Sequence, residues 1–334
     1  MKETDERLPT RVKNDKKRGD KPLLLVLVGP TAVGKTALSL TLAKKFSGEI
    51  ISADSMQVYR GMDIGTAKAS PAERAQVPHH LIDCVDPDYP YSVAEYQKCA
   101  REAISDVHAR GKLPLLVGGT GLYVQAVTSA YAFSEATANE VVRARWHHYR
   151  EQRGNEALHD KLREVDPDSA ARLHPNDVRR IVRALEIFET TGYTMTAYHA
   201  AQQKKSPYDL LWIGLTMDRA VLYERINNRV DQMIAAGMVD EVRALKEKGY
   251  ALDLVSMQGL GYKEIIGFLE GEWSLSEAIA AIKQNTRRYA KRQWSWFRRN
   301  KDIYWWDLTD ESSREKKIAQ ICQFVAGKLV GHKE

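Results

Sequence analysis

The chain has 334 residues, and its 50 Lys and Arg against 44 Asp and Glu give a formal net charge of +6. This length suits one large domain or two ordinary ones, and so mild a basic excess identifies no partner by itself. The apolar and charged fractions resemble those of globular proteins, which excludes a chain that is mostly disordered.

Neither the cysteines nor the N-terminus indicates a secreted or membrane protein. The three cysteines lie far apart without a C-x-x-C pair, which argues against a disulfide framework or a zinc site and fits a reducing cytoplasm. No apolar run reaches membrane-spanning length, so no membrane association is expected. Residues 1–21 are charged and lack the apolar stretch of a signal peptide, so we predict a disordered basic tail.

Buried strands alternate with helices in the first 130 residues. Apolar runs predict strands at 23–29, 49–54, 79–85 and 113–119. Helices are predicted at 35–46 and 92–110, and the second has Ser92 as its N-cap and Gly111 at its end. Such alternation predicts a parallel sheet that is covered by helices on both faces.

The pattern changes beyond residue 130. Successive helices without a strand between them are predicted at 139–153, 155–165 and 176–191. A strand returns at 210–217, two helices end at Gly237 and near Lys248, and a strand at 302–308 precedes a final helix. The predicted fold is an α/β core of 22–130 and 206–334, with an all-helical domain inserted at 131–205.

The segment GPTAVGKT matches the phosphate-loop (P-loop) pattern G-x-x-x-x-G-K-[ST], and it lies between a predicted buried strand and a helix. Its glycines let backbone N–H groups turn toward an anion, and the helix N-terminus adds positive potential. Lys35 can neutralise an outer phosphate, and the Thr36 hydroxyl can hold Mg²⁺. The predicted diphosphate- or nucleotide-binding residues are Gly29, Pro30, Thr31, Ala32, Val33, Gly34, Lys35 and Thr36.

A nucleotide-hydrolysing enzyme with this loop usually has a second buried strand that ends in Asp. Here the candidate strand LPLLVGG continues into Thr120 and a further glycine, so a hydroxyl and glycines replace the carboxylate. Glycine permits the close approach of a ligand, and Thr120 is a neutral hydrogen-bonding group. This pattern weakens an ATPase interpretation, but it leaves Asp83 and Asp86 as alternative residues for the metal.

Asp54 is the other acid at the end of a predicted strand. Ligands of open α/β sheets bind beyond the carboxyl ends of the strands, so Asp54 should face the same crevice as the phosphate loop. A carboxylate beside a bound diphosphate suits a general base, and a turn or helix-capping role is the alternative. The neighbours that favour recognition of a polar substrate are Ser55, Gln57, Tyr59 and Arg60.

The strongest basic cluster is TRRYAKRQWSWFRRNK, at 286–301. On a helix, its residues Arg287, Lys291, Trp294 and Arg298 would share one face, and Arg288, Arg292 and Arg299 would run alongside it. That face suits an RNA backbone; the alternative is that the aromatic residues belong to the core and the charges are merely solvated. Three further candidate RNA contacts lie off the apolar stripe of the 176–191 helix: Arg179, Arg180 and Arg183.

Six segments together carry a specific resemblance. In chain order they are GPTAVGKT, ISADSMQVYRGMDIGTAK, LLVGGTGLY, HPNDVRRIVRALE, RVDQMIAAGMVDEV and TRRYAKRQWSWFRR, and they extend over roughly residues 23–300. This set resembles the tRNA dimethylallyltransferases. Eukaryotic members carry an added C-terminal zinc-finger segment, and this sequence has no such Cys and His spacing, so the resemblance implies the bacterial form.

The resemblance implies that the exocyclic amine of the adenosine 3′-adjacent to the anticodon of tRNA attacks dimethylallyl diphosphate, with Mg²⁺ as cofactor. The 29–36 loop would then grip diphosphate as a leaving group, with Lys35 as a catalytic residue of that loop. Asp54 would be the general base, and Thr120 would lie in the prenyl channel. The further implied contacts are Asp54, Ser55, Met56 and Gln57 with the adenosine, Arg219 with the diphosphate, and Arg143 with the tRNA.

Two other functions stay open at this point. A P-loop kinase would share the phosphate loop and the Thr36 metal site, and it would release phosphate from ATP without tRNA. A non-catalytic RNA-binding switch would keep its RNA affinity after Asp54→Ala. The chain is expected to act in the cytoplasm. It is also expected to be a monomer, because a single tRNA could be held between the two domains of one molecule.

Overall fold

The computed structural model describes residues 21–130, 139–200 and 205–330. The predicted tail at 1–21, except for Lys21, lies outside these ranges, as do 131–138 and 201–204 of the predicted insertion. The chain divides into a core unit, Met1–Thr128 with Ser206–Glu334, and a helical unit, Ser129–Lys205. No helix within the described ranges is long and apolar enough to cross a membrane, and all three cysteines are free thiols.

Within the described part of the core unit, six parallel strands form one sheet, which confirms the predicted α/β fold. The strands are β1 (Leu23–Val28), β2 (Gly48–Ala53), β3 (His79–His80), β4 (Leu113–Gly118), β5 (Asp209–Thr216) and β6 (Tyr304–Asp307). They pair in the order β3-β2-β4-β1-β5-β6. Strands that are buried on both faces consist of continuous apolar runs, as the LLLVLV of β1 does.

Four helices follow the first strands of the sheet. They are α1 (Lys35–Lys45), α2 (Pro71–Gln76), α3 (Val93–Ala109) and α4 (Gly121–Thr128). The α1 and α3 predictions are confirmed, and Ser92 caps α3 in a reciprocal hydrogen-bonded box with Glu95. Alternate side chains of β1 enter opposite apolar clusters: Leu25 packs in the cluster that contains residues of α1, and Leu24 in the cluster that contains residues of α3.

The prediction of a strand at 79–85 is wrong beyond His80. Leu81 and Asp83 have φ angles of 62° and 56°, in the left-handed region. A strand needs extended backbone, so the chain leaves the sheet after two paired residues.

The helical unit contains four described helices. They are α5 (Glu140–Val165), α6 (Pro167–Arg172), α7 (Val178–Thr191) and α8 (Met195–Ala200). The two helices predicted on either side of Gly154 form a single element that is broken there, where Gly154 has φ 85° and ψ 173°. Ile181 and Leu185 of α7 pack with Leu158 and Leu162 of α5 in the apolar core of this unit.

Five helices complete the described part of the core unit. They are α9 (Arg219–Ala235), α10 (Met238–Glu247), α11 (Tyr262–Leu269), α12 (Leu275–Phe297) and α13 (Arg314–Val330). The helix α12 begins well before the predicted basic segment, because Ser274 and Glu277 form a capping box at its start. An apolar cluster joins α9–α12 to the segment after β2 through residues such as Val58, Met62 and Tyr262.

The segment after β2 is also held by one carboxylate of α10. Glu241 accepts hydrogen bonds from the backbone N–H groups of Asp63, Ile64 and Gly65 at 2.7–3.0 Å, and from the Tyr262 hydroxyl at 2.6 Å. These four bonds satisfy an ionised carboxylate and fix the backbone on which the segment turns.

Strands β2 and β4 approach each other unusually closely at their carboxyl ends. A Cβ atom on Gly118 would lie 2.2 Å from the Ala53 carbonyl oxygen, so the approach requires glycine. The backbone N–H of Thr120 donates to the same oxygen at 3.1 Å. The glycine therefore brings the residues that follow the two strands together.

We predict that Gly118→Ala lowers the free energy of unfolding by about 1–3 kcal/mol, because the added methyl forces β2 and β4 apart. Gly327→Ala is the control, since nothing lies within 4 Å of a Cβ built there in α13. That substitution should stabilise the protein by up to about 1 kcal/mol. Urea unfolding followed by circular dichroism measures both, and a Gly118→Ala protein as stable as the parent would refute the steric explanation.

Candidate functional site

The 29–36 loop connects β1 to the N-terminus of α1 and depends on two of its glycines. Gly29 and Gly34 have φ angles of 152° and 108°, and a Cβ atom on Gly29 would lie 2.6 Å from the Leu215 carbonyl oxygen. Ala32 also adopts a left-handed φ of 64°, and its carbonyl oxygen accepts a hydrogen bond from Arg225 Nε at 3.2 Å. The loop therefore takes a conformation that its sequence and its neighbours impose.

Lys35 is folded back over this loop. Its Nζ donates to the carbonyl oxygens of Gly29 at 2.9 Å and Pro30 at 2.8 Å. Burial, together with the charge of Arg229, lowers the pKa of Lys35 to about 7, and the carboxylate of Asp54 opposes this shift. A bound anion would favour the charged form of this lysine, as opposite charges nearby do.

Asp54 follows β2 and lines the same cavity as Thr31, Lys35 and Thr36. Its Oδ1 accepts the backbone N–H of Met56 at 2.9 Å. Burial raises the pKa of this carboxyl above its ordinary value, and the Met56 N–H and the Lys35 ammonium limit the rise. The raised pKa makes Asp54 a stronger proton acceptor than a solvated carboxylate.

Thr120 lies beside Asp54, because it forms hydrogen bonds with Ala53 and Ser55, the residues on either side of Asp54. The Ser55 backbone N–H donates to Thr120 Oγ1 at 3.2 Å, and the Thr120 side chain lies close enough to the Tyr289 hydroxyl to limit the rise of its pKa. Met56 lines the cavity that contains Asp54 and Tyr289. Gln57 accepts from Ser52 Oγ at 3.1 Å and donates to Thr66 O at 3.3 Å, so its amide binds the segment after β2.

The arginine that reaches this cavity is Arg229 of α9. Arg229 lines the cavity of Asp54 and Lys35 and the two adjoining cavities. Burial lowers the pKa of its guanidinium, and the nearby Asp54 carboxylate opposes that shift. Arg219 is exposed at the start of α9 with its guanidinium 5.2 Å from the Tyr223 ring centroid, and it lines none of these three cavities.

Arg229 is a site residue that the sequence-based prediction missed, although the chain carries a signal for it. Arg229 opens the RVDQMIAAGMVDEV segment, and its neighbour Val230 is buried in the helical cluster. Arg229 lies three residues after Ile226 and four before Met233, so it is on the helix face that lines the apolar cavity. This spacing does not separate it from Arg219, which lies three residues before the buried Leu222.

Arg229 and Asp54 also border an apolar cavity between the segment after β2 and the helices α9–α12. Its apolar lining includes Met56, Ile226, Val230, Met233, Met238 and Ile282. A second cavity, at the outer side of the 29–36 loop, is polar and is lined by Lys35, Thr36, Arg225, Arg229 and Arg314. A polar cavity rich in cations and an apolar cavity therefore adjoin at Arg229, which lines both.

The alternative acids for a metal have other partners. Asp83 pairs with Lys68 at 2.5 Å and with Arg74 at 2.6 Å, and these partners lower the pKa of its carboxyl despite partial burial. Asp86 pairs with Arg60 at 3.1 Å. Across the ranges that the structure describes, no group of three or more His, Cys, Asp and Glu could hold a metal ion.

The basic cluster of α12 is turned differently from its predicted orientation. Arg287 Nη1 donates to Asn227 of α9 at 2.6 Å, and Trp294 packs edge-on against Trp305 of β6. These two residues of the predicted RNA-contacting face therefore contact the protein. The shallow surface that α12 presents instead, called here the basic face, is lined by Arg288, Lys291, Arg292, Ser295, Trp296 and Arg299.

The arginines of the helical unit fall into two groups. Arg143 and Arg183 bind the fully buried carboxylate of Glu186 at 3.0 Å and 2.8 Å, so they stabilise the unit itself. Arg179 and Arg180 are exposed, and Arg180 is 3.8 Å from Asp177. Of the four, the last two present the more accessible charges to a partner.

These features define an α/β protein whose phosphate-loop motif faces a cavity with a carboxylate, a threonine hydroxyl and a buried arginine. The family model described as "IPP transferase" matches residues 57–300, and one described as "Isopentenyl transferase" matches residues 22–83. The chain therefore belongs to the IPP transferase family.

Relatives and solved structures agree with this assignment. The tRNA dimethylallyltransferase of Geobacillus thermodenitrificans is 51% identical over 306 residues, which cover 92% of this chain and 97% of the relative. That of Symbiobacterium thermophilum is 54% identical over 305 residues, which cover 91% of this chain and 95% of the relative.

Among solved structures, the tRNA isopentenylpyrophosphate transferase of Bacillus halodurans has a TM-score of 0.71 at 50% identity, covering 94% of this chain and 98% of that one. A eukaryotic dimethylallyltransferase acting on tRNA has a TM-score of 0.81 at 32% identity, covering 92% and 79%. The family resemblance of the sequence motifs is thereby confirmed.

We predict that Lys35 titrates near pH 7 in the ligand-free protein. NMR of reductively ¹³C-methylated lysines reports the midpoint, and the Lys35→Arg variant identifies the signal by its loss. Arg229→Met should raise the midpoint, because it removes a repulsion that disfavours the charged form. Asp54→Asn should lower it. A midpoint near the ordinary value of 10.5 would contradict the described surroundings of Lys35.

Proposed function

We propose that this chain transfers a dimethylallyl group from dimethylallyl diphosphate to the exocyclic amine of the adenosine 3′-adjacent to the anticodon of tRNA, and releases diphosphate. The observation that carries the proposal is the single carboxylate of Asp54 in the cavity of the phosphate-loop motif, with Thr120 beside it. The names of the relatives support the donor and the acceptor.

The donor's diphosphate is held by the 29–36 loop. As the bond between the dimethylallyl carbon and its oxygen breaks, negative charge grows on the leaving diphosphate. Lys35, Arg229 and the loop N–H groups at the start of α1 stabilise that charge in a site partly shielded from water. Arg229 takes the role that the resemblance implied for Arg219, because Arg229 lines the cavity.

Asp54 acts on the attacking amine. A neutral adenine amine is a weak nucleophile, and it becomes cationic as its nitrogen bonds to the dimethylallyl carbon. Asp54 accepts a proton from this nitrogen, so the products are the neutral alkylated base, diphosphate and a protonated carboxyl. The segment Asp54–Gln57, with Thr120, contacts the adenosine, and the adjoining apolar cavity suits the flat base and the prenyl chain.

Magnesium fits the residues around the 29–36 loop. Mg²⁺ keeps several waters and is commonly held by one or two protein oxygens together with substrate phosphates. Thr36, beside Lys35 in the two polar cavities, offers such an oxygen. Bound there, the ion would neutralise charge on the diphosphate.

A kinase is a weaker alternative. The strand β4 ends in glycines and Thr120, and the other candidate acids, Asp83 and Asp86, are ion-paired with Lys68, Arg74 and Arg60. Transfer to an amine needs no activated water, and a single base suffices. The site therefore has the groups for the transferase and lacks a metal-orienting carboxylate at the end of β4.

The tRNA backbone is bound by two basic surfaces, each on its own unit. On the core unit the basic face of α12 presents Arg288, Lys291, Arg292 and Arg299 around the 42% exposed Trp296. On the helical unit the exposed Arg179 and Arg180 serve the same purpose, whereas Arg143 and Arg183 bind Glu186. Cations bind phosphates and release counterions, and an exposed indole can stack on a base. One chain carries every group that this mechanism uses, which agrees with a monomer.

We predict that Asp54→Asn lowers kcat about 10²- to 10⁴-fold while the Kd for tRNA stays unchanged, because the amide cannot take the proton. Product formation is measured by transfer of labelled dimethylallyl groups to tRNA. Asp86→Asn, which changes an exposed acid paired with Arg60, is the matched control.

Because burial raises the pKa of Asp54, its carboxylate takes up a proton at a higher pH than an ordinary carboxylate does. As the pH is lowered, kcat/KM of the parent should therefore begin to fall at a pH above the ordinary carboxyl range. An Asp54→Asn enzyme with near-parental kcat would eliminate the base assignment.

We predict that the basic face of α12 sets part of the salt dependence of tRNA binding. Arg288→Gln, Lys291→Gln and Arg292→Gln should each weaken binding and reduce the slope of log K against log salt by about one phosphate contact. Lys283→Gln, on the same helix but paired with Asp231 at 2.6 Å, is the control and should leave the slope unchanged. Filter binding over a salt series measures the slopes, and equal slopes in all variants would exclude this surface.

A further inference from the structure

Two side chains one turn apart on α12 join loops that follow three different strands. Gln293 contacts the 29–36 loop after β1 and the Gly119–Thr120 turn after β4, and Tyr289 contacts Thr120, which in turn binds Ser55 after β2. We infer that Tyr289 and Gln293 are positioning residues for the transfer reaction, which set the spacing between the diphosphate loop and the turn that carries Thr120. This inference rests on the proposed transferase function.

The amide of Gln293 forms a bridge that only a group with one donor and one acceptor can form. Its Oε1 accepts the Thr31 backbone N–H at 2.8 Å, and its Nε2 donates to the Gly119 carbonyl oxygen at 3.0 Å. The side chain is 5% exposed. Because an N–H must donate and a carbonyl must accept, the orientation of the amide is fixed by its partners.

The bridge also explains the glycine at position 119. A Cβ atom there would lie 2.1 Å from Gln293 Nε2, so any larger residue would displace the amide. The sequence suggested that glycine in this turn makes room for a ligand. At Gly119 the space is filled by a protein side chain that spans from one loop to the other.

Tyr289 continues the same network toward the reacting groups. Burial raises the pKa of its hydroxyl to about 12, the nearby side chains of Thr120 and Gln293 limit the rise, and Tyr289 lines the apolar cavity together with Asp54. The charged groups that influence this phenol are Asp54, from the loop after β2, and Arg292 on its own helix. Thr120 therefore has Tyr289 as a neighbour from α12 and the Ser55 N–H as its hydrogen-bond donor from the loop after β2.

The network matters for rate because the two substrates are held by different loops. The diphosphate lies against the 29–36 loop, and the adenosine amine lies near Asp54 and Thr120. Attack requires the nitrogen and the dimethylallyl carbon to approach within about 3–3.5 Å, and a displacement near 1 Å can lower a rate about 10²-fold. A bridge that fixes the spacing of these loops affects kcat more than the affinity for either substrate.

Gln293→Glu is the sharpest test because it preserves shape and changes one donor. As a carboxylate the new side chain accepts from Thr31 N–H but cannot donate to Gly119 O. When protonated it can again donate one hydrogen bond and accept one, which is what the amide does in this bridge. At pH 8 we expect kcat per folded enzyme to fall about tenfold or more while the Kd for tRNA stays unchanged, and we expect the ratio of variant to parent kcat to rise toward pH 6. Gln293→Met, which loses both bonds at every pH, should show a ratio that does not change with pH.

Two further variants make the outcome decisive. Gln284→Glu, at an exposed site on the same helix, should behave like the parent throughout. If Gln293→Glu does not fold, Tyr289→Phe removes only the hydroxyl and should lower kcat about three- to tenfold with dimethylallyl diphosphate affinity retained. Three results would each overturn the inference. The first two are a parental kcat at pH 8 in a folded Gln293→Glu enzyme and a parental kcat in Tyr289→Phe. The third is a ratio of variant to parent kcat that is the same for Gln293→Glu and Gln293→Met at all pH values. A parent enzyme that alkylates no tRNA would instead refute the proposed function.

Discussion

The close approach of β2 and β4 at their carboxyl ends is the constraint on which the site depends. Gly118 leaves no side chain between the strands, and the Ala53 carbonyl oxygen binds the Thr120 N–H at 3.1 Å. Asp54 and Thr120, the residues that follow, therefore become neighbours although 65 positions separate Thr120 from the Ser55 that it binds. The phosphate-loop motif follows β1, which pairs with β4 on its other side, so the anion cradle and the carboxylate open into one cavity.

Burial gives the charged groups of this cavity their chemical properties. The pKa of Lys35 is lowered and that of Asp54 is raised, and each opposes the shift of the other. Without a ligand, the protein therefore holds a lysine whose pKa is about 7 beside a carboxyl that is more basic than usual. In the proposed reaction, a bound diphosphate would restore the charge of the lysine, and the leaving diphosphate would then meet preorganised positive groups. Arg229 supplies a second cation, which remains protonated despite its burial.

The sequence predicted what depends on local pattern. The apolar runs placed five strands to within a residue or two, and the G-x-x-x-x-G-K-[ST] spacing located the loop. The failures concern tertiary contacts. Left-handed residues cut short the strand predicted at 79–85, and the basic helix is turned so that Arg287 and Trp294 meet the protein. Periodicity defines a helix face but not the direction in which it points, and it could not distinguish Arg229 from Arg219. The glycines at the end of β4 suggested space for a ligand, whereas Gly118 makes room for the Ala53 carbonyl oxygen and Gly119 for the Gln293 side chain.

In the proposed reaction the phosphate loop holds a leaving group and an RNA base is the attacker. Incubation of the protein with tRNA, Mg²⁺ and dimethylallyl diphosphate, followed by mass analysis of the tRNA nucleosides and assay of free diphosphate, tests both points directly. We expect one adenosine, 3′-adjacent to the anticodon, to gain a dimethylallyl group in place of a hydrogen, with one diphosphate released for each group transferred. Unmodified tRNA, or steady release of phosphate from ATP without tRNA, would contradict this mechanism.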